Sequence, residues 1–257
     1  AVQIDPKFAD AYYWAGMSFV KLGNPNNAFD KFSKATDVDP GHLKAHVEAV
    51  KLLLLGRAPD RAMDKAELVL KKDPHNEEAR ILKAAVFLNK NEVDTGLSHL
   101  DQLIREGAKN QDIYLLKAGA YSRMGDKAGA ESALRSGIES NSGSTALHLY
   151  LSLADLFLRE KRVSDAIVII QKVIAIDPKE TRFKLALASL YWDSGNEQKA
   201  KEVLNGIIIA DEENEERWVQ NADFFLSKKK PQDAEKVLKE ALQKHPKSVK
   251  VRFILVG

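Results

Sequence analysis

Residues 9–42, ADAYYWAGMSFVKLGNPNNAFDKFSKATDVDPGH, have the pattern of two short helices joined by a tight turn. In the first half, aromatic and small residues recur every three to four positions, which predicts an amphipathic helix. A Gly-Asn-Pro sequence that begins at Gly23 interrupts this helix with residues that favour turns. A second apolar stripe starts at Ala28 and ends before Pro40, because proline cannot continue a helical hydrogen-bond ladder. We therefore predict a helix–turn–helix unit.

This unit occurs seven times along the chain at a spacing of 34 residues. A two-residue insertion, Thr145 and Ala146, interrupts the spacing before the fifth unit. Residues 1–8 and 249–257 match parts of further units. We therefore expect a single array over residues 1–257 that is a fragment of a longer protein. The complete units are residues 9–42, 43–76, 77–110, 111–144, 147–180, 181–214 and 215–248.

A small residue marks the second helix of every unit, and we expect it to contact the first helix closely. In the third unit this residue is glycine, and helix propensity alone predicts that alanine there would stabilise the helix by about 1 kcal/mol. The seven residues are Ala28, Ala62, Gly96, Ala130, Ala166, Ala200 and Ala234.

The recurring order of residues resembles the tetratricopeptide repeat (TPR). In that repeat, aromatic and small residues on the first helix are followed by alanine, a large residue and alanine on the second, and then by proline. The resemblance implies an all-α fold, an α-solenoid of stacked antiparallel helix pairs wound as a right-handed TPR superhelix. It also implies a non-catalytic protein–protein interaction module, in which the first helices line a concave groove for a peptide segment of a partner protein.

The same resemblance places one set of first-helix side chains on the inner wall of that groove. The wall is mostly aliphatic with two tryptophans and scattered charges, which suits an apolar or amphipathic peptide better than a polyanion. Lys51 with Arg123 or Arg159 is a candidate site for an acidic group. Plain packing between helices is the alternative role for each of these side chains. The candidate groove residues are Tyr13, Trp14, Met17, Lys51, Leu54, Arg123, Asp155, Arg159, Arg182, Trp192 and Asp193.

Composition and motifs exclude several other classes of protein. The 257 residues carry a net charge of +2 with acids and bases interspersed, which gives no electrostatic case for nucleic acid or an anionic membrane. The absence of cysteine excludes disulfides, thiol catalysis and thiolate metal sites. His42 and His46 lie four residues apart without a third ligand, and no catalytic or phosphate-binding motif is present. We therefore expect no enzyme activity, no cofactor and no metal site.

Two other functions fit the same repeats. The chain is alternatively a structural or self-assembling scaffold, or the recruiting arm of a larger enzyme or of an envelope export or polysaccharide system. Residues 55–76 are similar in style to long bacterial TPR proteins of the cell envelope, of the kind associated with exopolysaccharide export and PEP-CTERM sorting. Residues 1–257 carry no targeting signal, so the sequence is compatible both with the periplasm or cell envelope and with the cytoplasm.

Overall fold

The computed structural model describes residues 8–256, with side chains up to residue 255. Residues 1–7 and Gly257, which belong to the two predicted partial units, lie outside the described residues. Over the described range the chain forms helices without any β-strand, and none of these helices is long and apolar enough to cross a membrane. The helices are α1 (Ala9–Lys21), α2 (Pro25–Val38), α3 (Leu43–Leu55), α4 (Pro59–Lys72), α5 (Glu77–Asn89), α6 (Val93–Arg105), α7 (Gln111–Met124), α8 (Lys127–Ser140), a 3-10 turn (Gly143–Ala146), α9 (Leu147–Arg159), α10 (Val163–Ile176), α11 (Thr181–Asp193), α12 (Glu197–Ile209), α13 (Glu215–Ser227), α14 (Pro231–Lys244) and α15 (Val249–Val256).

The chain divides into two compact units. Unit 1 ends at Asn141 and contains α1 to α8, whereas unit 2 begins at Ser142 and contains α9 to α15. Within each unit, a first helix and a second helix form a pair joined by a short turn, and each pair contacts the next along the chain. The seven first helices begin at the first residues of the seven predicted repeats. Each unit is therefore an all-α solenoid of stacked helix pairs.

Turn chemistry sets the boundary between paired helices, as the first pair illustrates. Gly23 has a φ of +67°, which glycine adopts without steric cost. The Asn24 side chain accepts a hydrogen bond from the backbone N–H of Asn27 at 3.2 Å and so caps α2. Pro25 occupies the first position of α2, where its missing N–H costs no helical hydrogen bond. The Gly-Asn-Pro sequence therefore ends one helix and starts the next.

Small residues let the two helices of each pair approach closely. In unit 1, a Cβ atom on Gly16 of α1 would lie 2.5 Å from the ring of Phe32 on α2, so the aromatic ring occupies the space of the missing side chain. In unit 2, Ala200 of α12 is fully buried in a cluster that includes Ala188 of its paired helix α11. The alanines at the predicted second-helix contact position are all buried, namely Ala28, Ala62, Ala130, Ala166, Ala200 and Ala234.

The surroundings of Gly96 argue against the expectation that alanine would stabilise its helix. A Cβ atom at Gly96 would lie 2.6 Å from Cδ2 of Leu88 and 3.2 Å from the backbone oxygen of Ala84. A side chain could move aside, but the backbone oxygen belongs to α5 and moves only with that helix. We therefore expect the close approach of α5 and α6 at this glycine to outweigh the helix propensity of alanine.

Replacing Ala200 by leucine should lower the free energy of unfolding by about 1–3 kcal/mol, because the larger side chain overpacks a closed contact. Asn205→Leu on the same helix is the control, since Asn205 is exposed. Urea unfolding of both variants measures the difference. Equal midpoints for the two variants would contradict the buried position assigned to Ala200.

Two glycine-to-alanine substitutions should have opposite effects. Gly96→Ala should destabilise the protein by about 1–3 kcal/mol through the clash with α5. Gly119→Ala, within α7, should stabilise it by up to about 1 kcal/mol, since no atom lies within 4 Å of the added Cβ. Thermal unfolding followed by circular dichroism compares the two. Stabilisation by both substitutions would show that helix propensity, and not close packing, governs Gly96.

Candidate functional site

Trp14 is the most exposed of the candidate aromatic residues. Its side chain on α1 is 63% exposed, and its ring meets that of Tyr13 edge to face, with 5.1 Å between ring centroids. Tyr13 is half-buried and also contacts Phe32 and His42, at centroid distances of 5.8 and 5.2 Å. Tyr13 is thus held by the fold, while the indole beside it faces solvent.

Lys51, on the neighbouring first helix α3, lies between two carboxylates. Its Nζ is 2.8 Å from Glu48 on the same helix and 2.5 Å from Glu78 on α5. Partial burial lowers the pKa of Lys51, but the hydrogen bonds that it donates to Glu48 and Glu78 more than offset that effect and the pKa is raised. The ammonium is already shared by two carboxylates, which argues against the expectation that Lys51 holds an acidic group.

We call Tyr13, Trp14, Glu48, Lys51 and Glu78 together the Trp14 face, because the Tyr13 ring contacts Trp14 and the charges of the other three act on the Tyr13 hydroxyl. Partial burial raises the pKa of Tyr13, and Glu48 raises it further. Lys51 opposes this effect, and Glu78 again adds to it. The effect of Glu48 is larger than the opposing effect of Lys51, and Glu78 adds to it, so the two carboxylates outweigh the ammonium at the Tyr13 hydroxyl.

The other candidates in unit 1 have different surroundings. Met17 is partly buried against the core between α1 and α2, and Leu54 packs partly against the core around Val50. Arg123 is exposed in the last turn of α7 and forms no ion pair with any residue in the described range. Met17 and Leu54 therefore support the first helices from within, and Arg123 is a separate surface charge.

In unit 2 the candidate charges are neutralised by residues of the same unit. Asp155 and Arg159 pair with each other on α9 at 2.8 Å, and Arg182 pairs with Glu180 at 3.0 Å. Asp193 accepts a hydrogen bond from Lys228 at 2.5 Å.

Trp192 packs within its own unit. Its ring meets Phe224 and Phe225 of α13 at centroid distances of 5.8 and 6.0 Å, and Lys230 Nζ lies 5.6 Å from the ring centroid. The indole is half-buried in the unit 2 core cluster. The sequence analysis gave plain packing between helices as the alternative role of Trp192. That role accounts for these contacts.

His42 and His46 both have structural partners. Nδ1 of His42 accepts the backbone N–H of Ala45 at 3.1 Å, and its Nε2 lies 3.0 Å from Asp10. His46 is buried, with Nε2 at 3.3 Å from the carbonyl oxygen of Pro40. Among the described residues, no group of three or more metal-ligating side chains is placed to hold an ion.

An open groove of about 450 Å³ lies between α6, α7 and α8. Two pairs of its polar groups are bonded to each other: Lys117 binds Asp101, and the Tyr114 hydroxyl donates to Ser140 Oγ at 3.0 Å. Arg105 and Glu139 also line the groove, and neither forms an ion pair with another residue in the described range.

Glu78 was missed as a candidate, whereas the repeat alignment places Glu48 on the predicted groove wall, at the position that Trp14 holds in the preceding unit. Glu78 occupies the position that Lys44 holds in the unit before its own. The same alignment would have placed Glu78 beside the wall.

Family models for the tetratricopeptide repeat match residues 9–42, 115–181 and 157–220. The chain belongs to the TPR family. TPR proteins are in general non-catalytic repeat scaffolds that bind protein partners, and this chain is accordingly a protein–protein interaction module. No curated protein matches the chain in sequence.

Solved TPR structures share the fold at low sequence identity. A thermophilic TPR protein of Thermus thermophilus is 17% identical with a TM-score of 0.59, covering 72% of this chain and 99% of that one. PilF of Pseudomonas aeruginosa is 16% identical with a TM-score of 0.52, covering 85% and 97%. PilW, described as a widely conserved type IV pilus biogenesis factor, is 15% identical with a TM-score of 0.56, covering 78% and 92%. These similarities support the fold of this TPR chain and no more specific role.

His46 should make this TPR protein less stable in mild acid. Burial is the main cause that lowers the pKa of His46, with Lys65, Lys72 and His42 lowering it further, against the raising effect of the Pro40 carbonyl. The unfolded chain, with an ordinary histidine pKa of about 6.5, then binds more protons than the folded protein. Stability is therefore full above that pH and is lost as the pH falls through the lowered folded pKa.

The measurement is urea unfolding of the parent and of His46→Gln at a series of pH values from neutral to mildly acidic. The parent should lose more stability than the variant over this range, because the variant has no imidazole to protonate at that position. Burial also lowers the pKa of His99. Because His99 is present in both proteins, its contribution to the pH dependence cancels in the comparison. Parallel curves for the two proteins would contradict the buried, neutral state of His46.

Proposed function

We propose that the Trp14 face binds a peptide segment of a partner protein, and that the chain has no catalytic role of its own. The observation that carries this proposal is the 63% exposure of Trp14 next to a tyrosine fixed by three aromatic neighbours. A large aromatic side chain held in a rigid setting loses little conformational entropy on binding. Tryptophan and tyrosine accordingly dominate the energetics of many protein interfaces.

Other exposed apolar side chains lie on two helices of the Trp14 face. Val20, in the last turn of α1, is 40% exposed, and Leu55, at the end of α3, is 72% exposed. A peptide segment in an extended or helical conformation is the kind of ligand that exposed first-helix surface accommodates.

Neither first-helix tryptophan of unit 2 is an equivalent anchor, since Trp218 on α13 is buried; unit 2 does have an exposed aromatic side chain, Phe253 on its last helix, α15, at 81%. Trp192 is packed against α13, and Asp155, Arg159, Arg182 and Asp193 are each paired within the unit. We therefore assign peptide binding to unit 1. The candidate groove residues of unit 2 are not assigned to the peptide-binding surface in this proposal.

The test uses a library of random dodecapeptides displayed on phage, selected on the immobilised parent chain. Peptides that bind the parent should bind Trp14→Ala at least about tenfold more weakly, a loss typical of an aromatic hot spot. Leu68→Ala is the control, since Leu68 on the second helix α4 is also exposed, at 50%. Circular dichroism establishes that both variants keep the parent's helical content.

Three results would overturn the assignment. Selected peptides that bind Trp14→Ala as tightly as the parent would exclude the Trp14 face, and a loss confined to Trp192→Ala would move the site to unit 2. Absence of any enriched peptide, combined with concentration-dependent self-association of the chain in sedimentation, would favour the scaffold function instead.

A further inference from the structure

The Trp14 face carries an excess of negative charge. Two carboxylates, Glu48 and Glu78, share the single ammonium of Lys51, at 2.8 and 2.5 Å. Two carboxylates and one ammonium leave a charge of −1 at this cluster. Because the Glu48 and Glu78 side chains come from neighbouring first helices, the excess charge lies on the surface that both helices present.

Asp10 adds a second negative charge at the edge of this face. Its carboxylate lies 3.0 Å from Nε2 of His42, whose ring contacts that of Tyr13 at 5.2 Å between centroids. Asp10 stands one helical turn before Trp14 on α1. Lys44 on α3 is an exposed positive charge. With it included, the carboxylates of Asp10, Glu48 and Glu78 outnumber the ammoniums of Lys44 and Lys51, three to two.

The ring of Trp14 is open to a cation from outside the chain. In unit 2, Trp192 already has Lys230 over its ring at 5.6 Å from the centroid. Over the part of the chain that the structure describes, no lysine or arginine lies over the ring of Trp14. A tryptophan face attracts ammonium and guanidinium groups more strongly than other aromatic rings do. The ring of Trp14 therefore contacts Tyr13 but has no cation partner among the described residues, so a cation from outside the chain can bind there.

The geometry points to a basic partner. We propose that the Trp14 face binds an arginine or lysine side chain of the partner segment, with the cation stacked on Trp14 and directed towards Glu48 and Glu78. This inference rests on the proposed function and adds the chemistry of the ligand to it. Glu48 lies at the repeat position equivalent to Trp14, on the next first helix along the chain, which is why the cation on the ring is directed towards it in this proposal.

The first experiment reads the composition of the peptides that the dodecapeptide library yields on the parent chain. Enrichment of arginine and lysine over the unselected library, with binding that weakens at higher salt, is the expected result. Enriched peptides that depend on Trp14 but are neutral or acidic would overturn the inference and leave peptide binding intact. Absence of enriched peptides would overturn both.

The second experiment changes the local charge in both directions and uses a selected basic peptide as the probe in isothermal titration calorimetry. Glu48→Gln with Glu78→Gln leaves Lys51 uncompensated and should weaken binding at least about fivefold. Lys51→Met frees both carboxylates and should strengthen binding by about threefold. A purely structural role of this ion-pair cluster would weaken binding in both variants, so opposite signs distinguish recognition from packing.

Glu213→Gln with Glu240→Gln is the matched control. Both residues are exposed in unit 2, and their substitution changes the net charge of the chain by the same amount. The affinity of the control for the basic peptide should equal that of the parent. An equal loss in the control and in the Glu48/Glu78 variant would show that the peptide senses only the net charge of the protein, and would overturn the inference.

Discussion

Close contact between the two helices of a pair is the constraint on which the rest of this structure depends. It requires a residue with little or no side chain at one position of each helix, such as Gly16 on α1 opposite Phe32 on α2. The same requirement makes Gly96 necessary where Leu88 and the Ala84 carbonyl approach α6. Since a pair of short helices buries too little surface to be stable alone, each pair must also pack against its neighbours. These two packing surfaces leave one side of the first helix available for other contacts.

The two units differ in the residues that occupy this remaining side of the first helices. In unit 1 it carries an exposed indole and two carboxylates that share one ammonium. In unit 2 the tryptophan at the later position lies against Phe224 and Phe225, and the charges around it are paired locally. The repeats therefore share one packing scheme, while their first helices present different chemistry. This difference is the physical basis for assigning recognition to unit 1.

The sequence predicted well those features that depend on local chemistry. Gly23, Asn24 and Pro25 determine the boundary between α1 and α2 through backbone freedom, capping and the missing N–H. Features that depend on a neighbouring helix were predicted poorly. The pairing of Lys51 with Glu78 joins side chains of two repeats, and the packing of Trp192 depends on α13. Neither contact follows from the periodicity of a single helix, which describes only which residues share a face.

Trp14 and Trp192, two of the three tryptophans on first helices, have different environments, open in unit 1 and packed in unit 2. Acrylamide quenching of two single-tryptophan proteins tests this difference most directly, one retaining Trp14 with Trp192→Phe and Trp218→Phe, the other retaining Trp192 with Trp14→Phe and Trp218→Phe. We predict red-shifted emission and several-fold stronger quenching for Trp14, as the contrast between a 63% exposed and a half-buried indole requires. Equal quenching of the two, or stronger quenching of Trp192, would contradict the account.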